Sequence, residues 1–459
     1  MIYKILDTNI LLLDHTNLLT LGKSSDTTIV LPETVLDELD GKKSESGSLG
    51  YQARAFGRLL TRATHLGSST TGDYTVTRRV VDNITIHIVA CSEYPDYSSA
   101  HHSIINDRKI IHIAKIYAKL HDTVFYTNDV MCGIRAQSLG LQVSDIKLVD
   151  DTDPDFIRSI EVTPEQFGLL SNSNIYSVNP DHKPENFNYR FTCESLGYEK
   201  LATIKPNFLI DVIGKKQESD LRAQDLNPIN SGQMFLSAAI QDLTTTLVLA
   251  EAPAGTGKTA TAISNAMKLV RQNNSYESIT YIRASIDDVE DIEQIGFLPG
   301  SADDKNLVYL HPLYDTLDFI IRERHKKSKL KGQEFEQFVS AKVEELQEYY
   351  NIQAMTGLGM RGRTFNNTIA IIDEVQNQSQ ASLQKMLTRF GKNCKIIIIG
   401  SNRQIDNAYI TKYNNGLSVL LNQATKPQDI IRLHVVPLTK IVRSPIAEWA
   451  EKIYSKEPL

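Results

Sequence analysis

Apolar positions along the chain follow two patterns, short continuous runs and stretches spaced like one face of a helix. Ile2 to Leu6 predicts a strand that ends at Asp7-Thr8-Asn9, before the apolar Ile10-Leu11-Leu12-Leu13. Thr28 to Leu31 predicts a second strand, running into a helix over Pro32 to Asp40. Proline near that helix start is favourable because its missing N–H would have had no partner there. A further helical region is expected from about Tyr51 to Leu66. Tyr74 to Val89 alternates apolar and polar residues about Asp82-Asn83, the pattern of a hairpin. Ile104 to Leu120 reads as helix, Thr123 to Tyr126 as a strand closed by Thr127-Asn128-Asp129, and Val143 to Val149 as a last strand. Strands alternating with helices indicate a parallel α/β sheet.

The pattern breaks at Asp150-Asp-Thr-Asp-Pro-Asp155, a charge run interrupted by proline, and a domain boundary is expected there. From Ile157 to about Val212 only short β-like pieces recur, at Ser159 to Val162, Tyr189 to Cys193 and Phe208 to Val212, with Pro180 to Pro184 as loop. This is the pattern of a small β-rich subdomain that either binds RNA or merely spaces its neighbours. Beyond it the α/β pattern returns. Thr245 to Ala250 is a short apolar run of the kind buried in parallel sheets, and Ala260 to Val270 has helical spacing. The expected divisions are 1–148, 149–222 and 223–459, an α/β chain throughout apart from the β-rich middle.

Composition narrows the class without naming a chemistry. The 459 residues are 41% hydrophobic and 23% charged with a net charge of −6, so any nucleic-acid binding must use local basic patches. Cys91, Cys132, Cys193 and Cys394 form no C-x-x-C pair, which suggests a reduced, cytoplasmic protein without structural zinc. The N-terminus lacks the pattern of a signal peptide, and no run approaches the ~18 apolar residues of a membrane span.

The most informative stretch is Ala250-Glu-Ala-Pro-Ala-Gly-Thr-Gly-Lys-Thr-Ala260, a glycine loop between strand and helix with Gly257-Lys258-Thr259 at the joint. This is the P-loop arrangement, and it implies a nucleoside triphosphate site built from Ala252, Pro253, Ala254, Gly255, Thr256, Gly257, Lys258 and Thr259. Glycines let the backbone N–H groups turn inward, Lys258 reaches the β and γ phosphates, and the Thr259 hydroxyl can ligate Mg²⁺. Ala252 stands where the pattern has its first glycine. Thr368 to Ile372 is an apolar strand ending in Asp373-Glu374, a Walker B pattern in which Asp373 holds Mg²⁺ and Glu374 orients the attacking water.

Asp7, Glu38, Asp107 and Asp129 are candidate ligands of a second metal site. Asp7 and Asp129 follow strand ends, where open α/β sheets gather ligands, and hard oxygens suit Mg²⁺ or Mn²⁺. Taken singly, each acid is equally a cap or a surface charge. As a set they resemble the PIN nuclease domain, through Leu6-Asp-Thr-Asn9, Val35-Leu-Asp-Glu-Leu39, Asn106-Asp107, Tyr126-Thr-Asn-Asp129 and Ile134 to Gly140. The resemblance covers about 1–148 and implies that the four acids hold the metal, with Asp7 and Asp129 catalytic. Glu38 is chosen over Asp37 by position, and Asn9 and Thr127 are expected to help through hydrogen bonds.

From Leu226 onward the chain resembles the PhoH family of P-loop ATPases, related to the RecA-like motor cores of helicase superfamily one. The matching stretches are Asn227 to Met234, Gly296-Phe-Leu-Pro-Gly300, Leu310 to Asp315, Met360-Arg-Gly-Arg-Thr-Phe365, Gly400 to Gln404 and Leu438 to Ser444. The resemblance implies that Gln233 contacts adenine, Gln404 senses the γ-phosphate and Arg443 stabilises the transition state in cis or in trans. Gln233 is otherwise an exposed helix-start residue, and Arg443 an ordinary surface arginine. Ala284 follows Arg283 where the family usually has proline, and Ser401 stands where it has aspartate. Arg361 and Arg363 are candidates for nucleic-acid or subunit contact. The basic run Arg322 to Lys331 reads either as a phosphate-binding segment or as a solvated helix end.

The two resemblances together imply an ATP-dependent, metal-dependent ribonuclease with helicase-like or translocase activity, acting on single-stranded or structured RNA as a homohexamer. Two other readings stay open: an ATP-switched RNA-binding assembly without productive cleavage, and a DNA-directed nuclease–translocase.

Overall fold

The computed structural model describes the chain except residues 45–46, 98–101, 147–155, 172, 182–187, 215–218, 220, 222–224, 285–301, 361, 407–409, 411, 414, 427 and 455–459. Two compact units form, Met1–Lys147 and Leu148–Leu459. Among the described residues, no helix is long and apolar enough to cross a membrane.

The first unit is a seven-stranded sheet of β1 (Ile2–Leu6), β2 (Thr27–Pro32), β3 (Thr64–Thr71), β4 (Tyr74–Val81), β5 (Ile84–Cys91), β6 (Asp122–Tyr126) and β7 (Gln142–Ser144), in the order β3-β4-β5-β2-β1-β6-β7. Strands β5, β2, β1, β6 and β7 are parallel, and β3 and β4 extend the edge as an antiparallel ribbon. Ile5, Leu6, Ile29, Val30, Leu31, Ile86 and Phe125 are fully buried, as expected of strands covered on both faces.

Two boundaries differ from expectation. The helix expected over Tyr51 to Leu66 runs over Gly47–Thr61, and its last residues belong to β3 instead. Strand β3 carries almost no apolar signal, being Thr-His-Leu-Gly-Ser-Ser-Thr-Thr with most side chains exposed. Backbone pairing to β4 holds it, with a register shift between His65 and Gly67. The expected strand over Val143 to Val149 is only Gln142–Ser144, and 147–149 lie outside the described residues.

The second unit holds two sheets. The smaller is β8 (Ile157–Glu161), β9 (Asn188–Cys193), β10 (Tyr198–Ile204) and β11 (Ile210–Val212), in the order β11-β10-β9-β8. The larger consists of β12 (Leu247–Glu251), β13 (Ser278–Arg283), β14 (Ile352–Thr356), β15 (Thr368–Asp373), β16 (Lys395–Gly400) and β17 (Leu433–Pro437). Its order is β14-β13-β15-β16-β12-β17 and every pair is parallel. Alternate residues face opposite layers. Ile369 and Ile371 of β15 pack with the helices Ser231–Gln241, Lys258–Gln272 and Gln333–Tyr349. Ala370 and Ile372 join the other core, with Leu383 and Leu417. That second core also contains Tyr189, Phe191 and Ile210 of the small sheet, so the two sheets share one interior.

A buried polar tie accompanies the shared interior. Asn188 on β9 donates to the carbonyls of Phe156 (3.0 Å) and Val435 (2.8 Å), and its Oδ1 lies 2.8 Å from His434 Nε2. Burial, with the nearby charge of Arg432, depresses His434 from the ordinary 6.5 to about 4. A histidine whose folded pKa is lowered binds its proton more readily when unfolded. Its contribution is therefore complete above pH 6.5 and lost as the pH falls toward 4. Urea denaturation should show the second unit losing about 2–3 kcal/mol over that window from this group. His434→Gln, which keeps a donor toward Asn188 and cannot be protonated, should flatten that part of the profile.

Candidate functional site

In the first unit the candidate acids gather at the carboxyl ends of β1 and β6 and on the neighbouring helices. Asp7 follows β1 and Thr127 follows β6, and these strands pair in parallel up to Leu6 and Tyr126. Asp7 is buried and caps the helix Thr8–Leu13, accepting from the Thr8 N–H at 2.7 Å. Its Oδ2 accepts from Thr127 Oγ1 (2.6 Å) and Asn9 Nδ2 (2.7 Å). Asp129 is exposed and caps the helix Val130–Ser138, accepting from the N–H groups of Met131 and Cys132. Its own N–H donates to Thr127 Oγ1 at 3.0 Å, so one hydroxyl bridges two of the acids.

Glu38 accepts from the Thr8 hydroxyl and, at 2.8 Å, from Asn106 Nδ2, whereas Asp37 is exposed. Asp107, on the helix His102–Ala118, is paired with Arg135 at 2.7 Å. No group of three or more His, Cys, Asp or Glu among the described residues is close enough to hold a metal ion as the side chains stand. The acids nevertheless feel one another. Burial first, then Asp107 and Glu38, push Asp7 up to about 6. Burial and then Asp129 push Asp107 up as well. A buried carboxylate raised by its neighbours is stabilised in its charged form by a cation, so this donor set fits a hard divalent ion. Asp7, Glu38, Asp107 and Asp129 are the residues that would hold it.

In the second unit the site lies at the carboxyl ends of β12, β15 and β16. Gly255 and Gly257 adopt φ of +78° and +81°, left-handed values that favour glycine, while Ala252 keeps a negative φ and is fully buried. A Cβ on Gly257 would lie 2.7 Å from Gln233 Nε2. Lys258 is buried and its Nζ donates to the Ala252 carbonyl at 3.1 Å, spanning the loop. Thr256 Oγ1 donates to the Pro253 carbonyl at 3.1 Å. Ala254 is exposed at the loop tip.

Thr259 Oγ1 donates to Asp373 Oδ2 at 3.0 Å, joining the P-loop helix to the end of β15. Asp373 is buried, and burial followed by the charge of Glu374 raises its pKa. Glu374 sits at φ +62° and its Oε2 accepts from Gln376 Nε2 at 2.6 Å. The same Gln376 nitrogen donates to the Gln404 carbonyl at 2.8 Å, and Gln376 Oε1 accepts from the Ser401 N–H at 3.1 Å. The end of β15 and the segment after β16 are thus coupled through one fully buried amide.

Gln233 is buried rather than an exposed helix-start residue. Its Nε2 donates to the Thr256 carbonyl (2.9 Å) and its Oε1 accepts from the Ile229 N–H (3.0 Å), so the amide clamps the loop. Arg443 is exposed, but its backbone N–H and that of Val442 both donate to the Gly255 carbonyl, at 3.1 and 2.8 Å. The segment therefore lies against the P-loop of its own chain.

The remaining basic candidates separate. Arg322 pairs with Asp318 and Glu336, Arg324 with Asp225, and Lys326 with Glu323, so this part of the run is neutralised within the fold. Arg363 is exposed and lies over the Phe365 ring at 5.2 Å. Arg361, the whole of Gly296 to Gly300 and the boundary at 150–155 lie outside the described residues. Gln376 and Tyr281, which both touch the Walker B pair, were missed in the sequence. An amide two residues after Glu374 was a visible signal, whereas a tyrosine inside an apolar strand was not.

The geometry defines a class first: a P-loop nucleotide-binding unit preceded by an α/β unit with carboxylates at its strand ends. The chain matches the family described as PhoH-like protein over residues 225–455 and the PIN domain over residues 4–147. It belongs to the PhoH-like family and is a fusion of a PIN nuclease domain with a PhoH-like ATPase domain. It is similar to Protein PhoH2 of Bacillus subtilis, 24% identical over 91% of this chain and 92% of that one. It is 23% identical to Protein PhoH2 of Thermobispora bispora, over 96% and 94% of the two chains. A PhoH-like protein of Bacillus subtilis is 33% identical over 46% of this chain and 59% of its own.

Divalent metal should stabilise the full chain through the first unit at pH 7.5, where Asp7 is mostly ionised. At a hundredfold excess over the dissociation constant the gain is about 2.7 kcal/mol. Asp7 has a folded pKa above its unfolded value, so its charged form costs stability in full above about pH 6, and the cost is relieved as pH falls from there toward the ordinary 3.8. The metal-dependent rise in melting temperature should accordingly fade by about pH 5 and be absent in Asp7→Asn at either pH.

Proposed function

We propose that this protein is an ATP-driven, metal-dependent ribonuclease in which the C-terminal unit moves or remodels an RNA strand that the N-terminal unit cuts. The observation that carries the reading is the Thr259–Asp373 contact between P-loop and Walker B strand, in a chain that also brings Asp7 and Asp129 to adjacent strand ends. ATP and Mg²⁺ or Mn²⁺ are the cofactors of the proposal, RNA the substrate and a homohexameric ring the assembly.

Divalent cations, when bound, supply Lewis acidity toward phosphoryl oxygens at both sites. In the nucleotide site Lys258 leaves the Ala252 carbonyl for the phosphate chain, neutralising charge that builds on the transferred group. Glu374, with one oxygen held by Gln376, orients the attacking water through the other. The coupling of Gln376 to Ser401 and Gln404 connects that water to the residue proposed to sense the γ-phosphate. Arg443 acts from its own chain, over Gly255. In the nuclease site Thr127 and Asn9 fix Asp7, and Thr127 orients the turn that presents Asp129.

RNA over DNA follows from the family resemblance and is tested directly with matched RNA and DNA strands, each cleaved with and without ATP. Lys258→Ala should lower ATP turnover by at least about a hundredfold, the scale of losing one charge-stabilising group. Cleavage of short, unstructured RNA should persist in that variant, and cleavage of structured RNA should lose its response to ATP. Parental ATP turnover in Lys258→Ala would overturn the nucleotide site, and preferential DNA cleavage would overturn the substrate.

A further inference from the structure

We propose that Tyr281 is a positioning residue for the Walker B carboxylate, setting how strongly metal and nucleotide bind together. The inference rests on the nucleotide-site reading given above. Tyr281 lies on β13, fully buried, in register with Ile371 of the Walker B strand. Its hydroxyl reaches two residues further along and donates to Asp373 Oδ2 at 3.0 Å. Thr259 Oγ1 donates to the same oxygen at 3.0 Å, and the other oxygen accepts from the Glu374 N–H, also at 3.0 Å.

Asp373 is thus held by three donors, one from β13, one from the P-loop helix and one from the next residue of its own chain. Thr259 can offer an oxygen lone pair to a cation while its own proton points at Asp373. Tyr281, donating to the other lone pair of Asp373 Oδ2, keeps the carboxylate from turning away. Packing alone would be met by phenylalanine, since the ring already fills the core beside the P-loop helix. The hydroxyl adds an orienting bond behind a cation-binding group, an arrangement whose loss costs metal affinity rather than fold.

The test uses the full chain and a fluorescent ADP analogue titrated with Mg²⁺, beside a second titration in EDTA. Tyr281→Phe should raise the Mg²⁺ needed for half-maximal metal-dependent binding by about tenfold or more, with nucleotide affinity in EDTA unchanged. Circular dichroism melting checks the fold, and if Tyr281→Phe melts early, Tyr281→Met, which fills the core without a hydroxyl, takes its place. An unchanged Mg²⁺ requirement would overturn the inference, as would an equal loss with and without metal, which marks packing alone. A parent chain that binds the analogue without any response to Mg²⁺ would instead overturn the nucleotide-site reading itself.

Discussion

The second unit depends on how its P-loop carbonyls are held. A glycine-rich loop that turns its N–H groups toward an anion must turn carbonyls outward, and each needs a donor. Here the Gly255 carbonyl takes two, from Val442 and Arg443, and the Thr256 carbonyl takes one from Gln233. The donors come from the two chain segments that bracket the ATPase sheet in sequence. Loop shape, the seat of the segment before Ser231 and the seat of the segment after Pro437 are consequently one mechanical problem. The absence of room for a Cβ at Gly257 follows from the same closeness.

The first unit is organised by charge rather than by loop shape. Asp7, Asp107, Glu38 and Asp129 are drawn together by a sheet whose parallel strands end at one edge, and the protein surrounds them with hydrogen-bond and ion-pair partners. Thr127 serves Asp7 and Asp129, Thr8 and Asn106 serve Glu38, and Arg135 offsets Asp107. Hydrogen bonds to a carboxylate favour its charged form while burial and like charges oppose it. For Asp7 burial outweighs them, and this imbalance is what a cation would correct.

Much of this was legible in the sequence because period and punctuation are local. Strand β1 and its terminating Asp7, the hairpin about Asp82-Asn83, the P-loop between Glu251 and Lys258 and the apolar strand ending at Asp373 each carry their own signal within about ten residues. Strand β3 carried none, since polar side chains on an edge ribbon have no apolar period to display. β10 went unread for a related reason. Its burial pattern is mostly half-exposed, and its pairing to β9 and β11 does the holding.

What the sequence determined by itself was the set of chemistries: carboxylates after strands, a glycine loop before Lys258, two acids after an apolar run. Those are fixed by residue type and short spacing, and short spacing survives any tertiary arrangement. Only the tertiary structure decided which groups share a bond. Gln233 meets the loop 23 residues later, Tyr281 meets Asp373 on the neighbouring strand 92 residues later, and Asn188 meets Val435 across 247 residues. Whether Glu38 or Asp37 faces the acids, and whether Arg322 is free or paired, were likewise settled by packing. Hydrogen bonds act over about 3 Å in space, and sheet order is what brings distant positions within it.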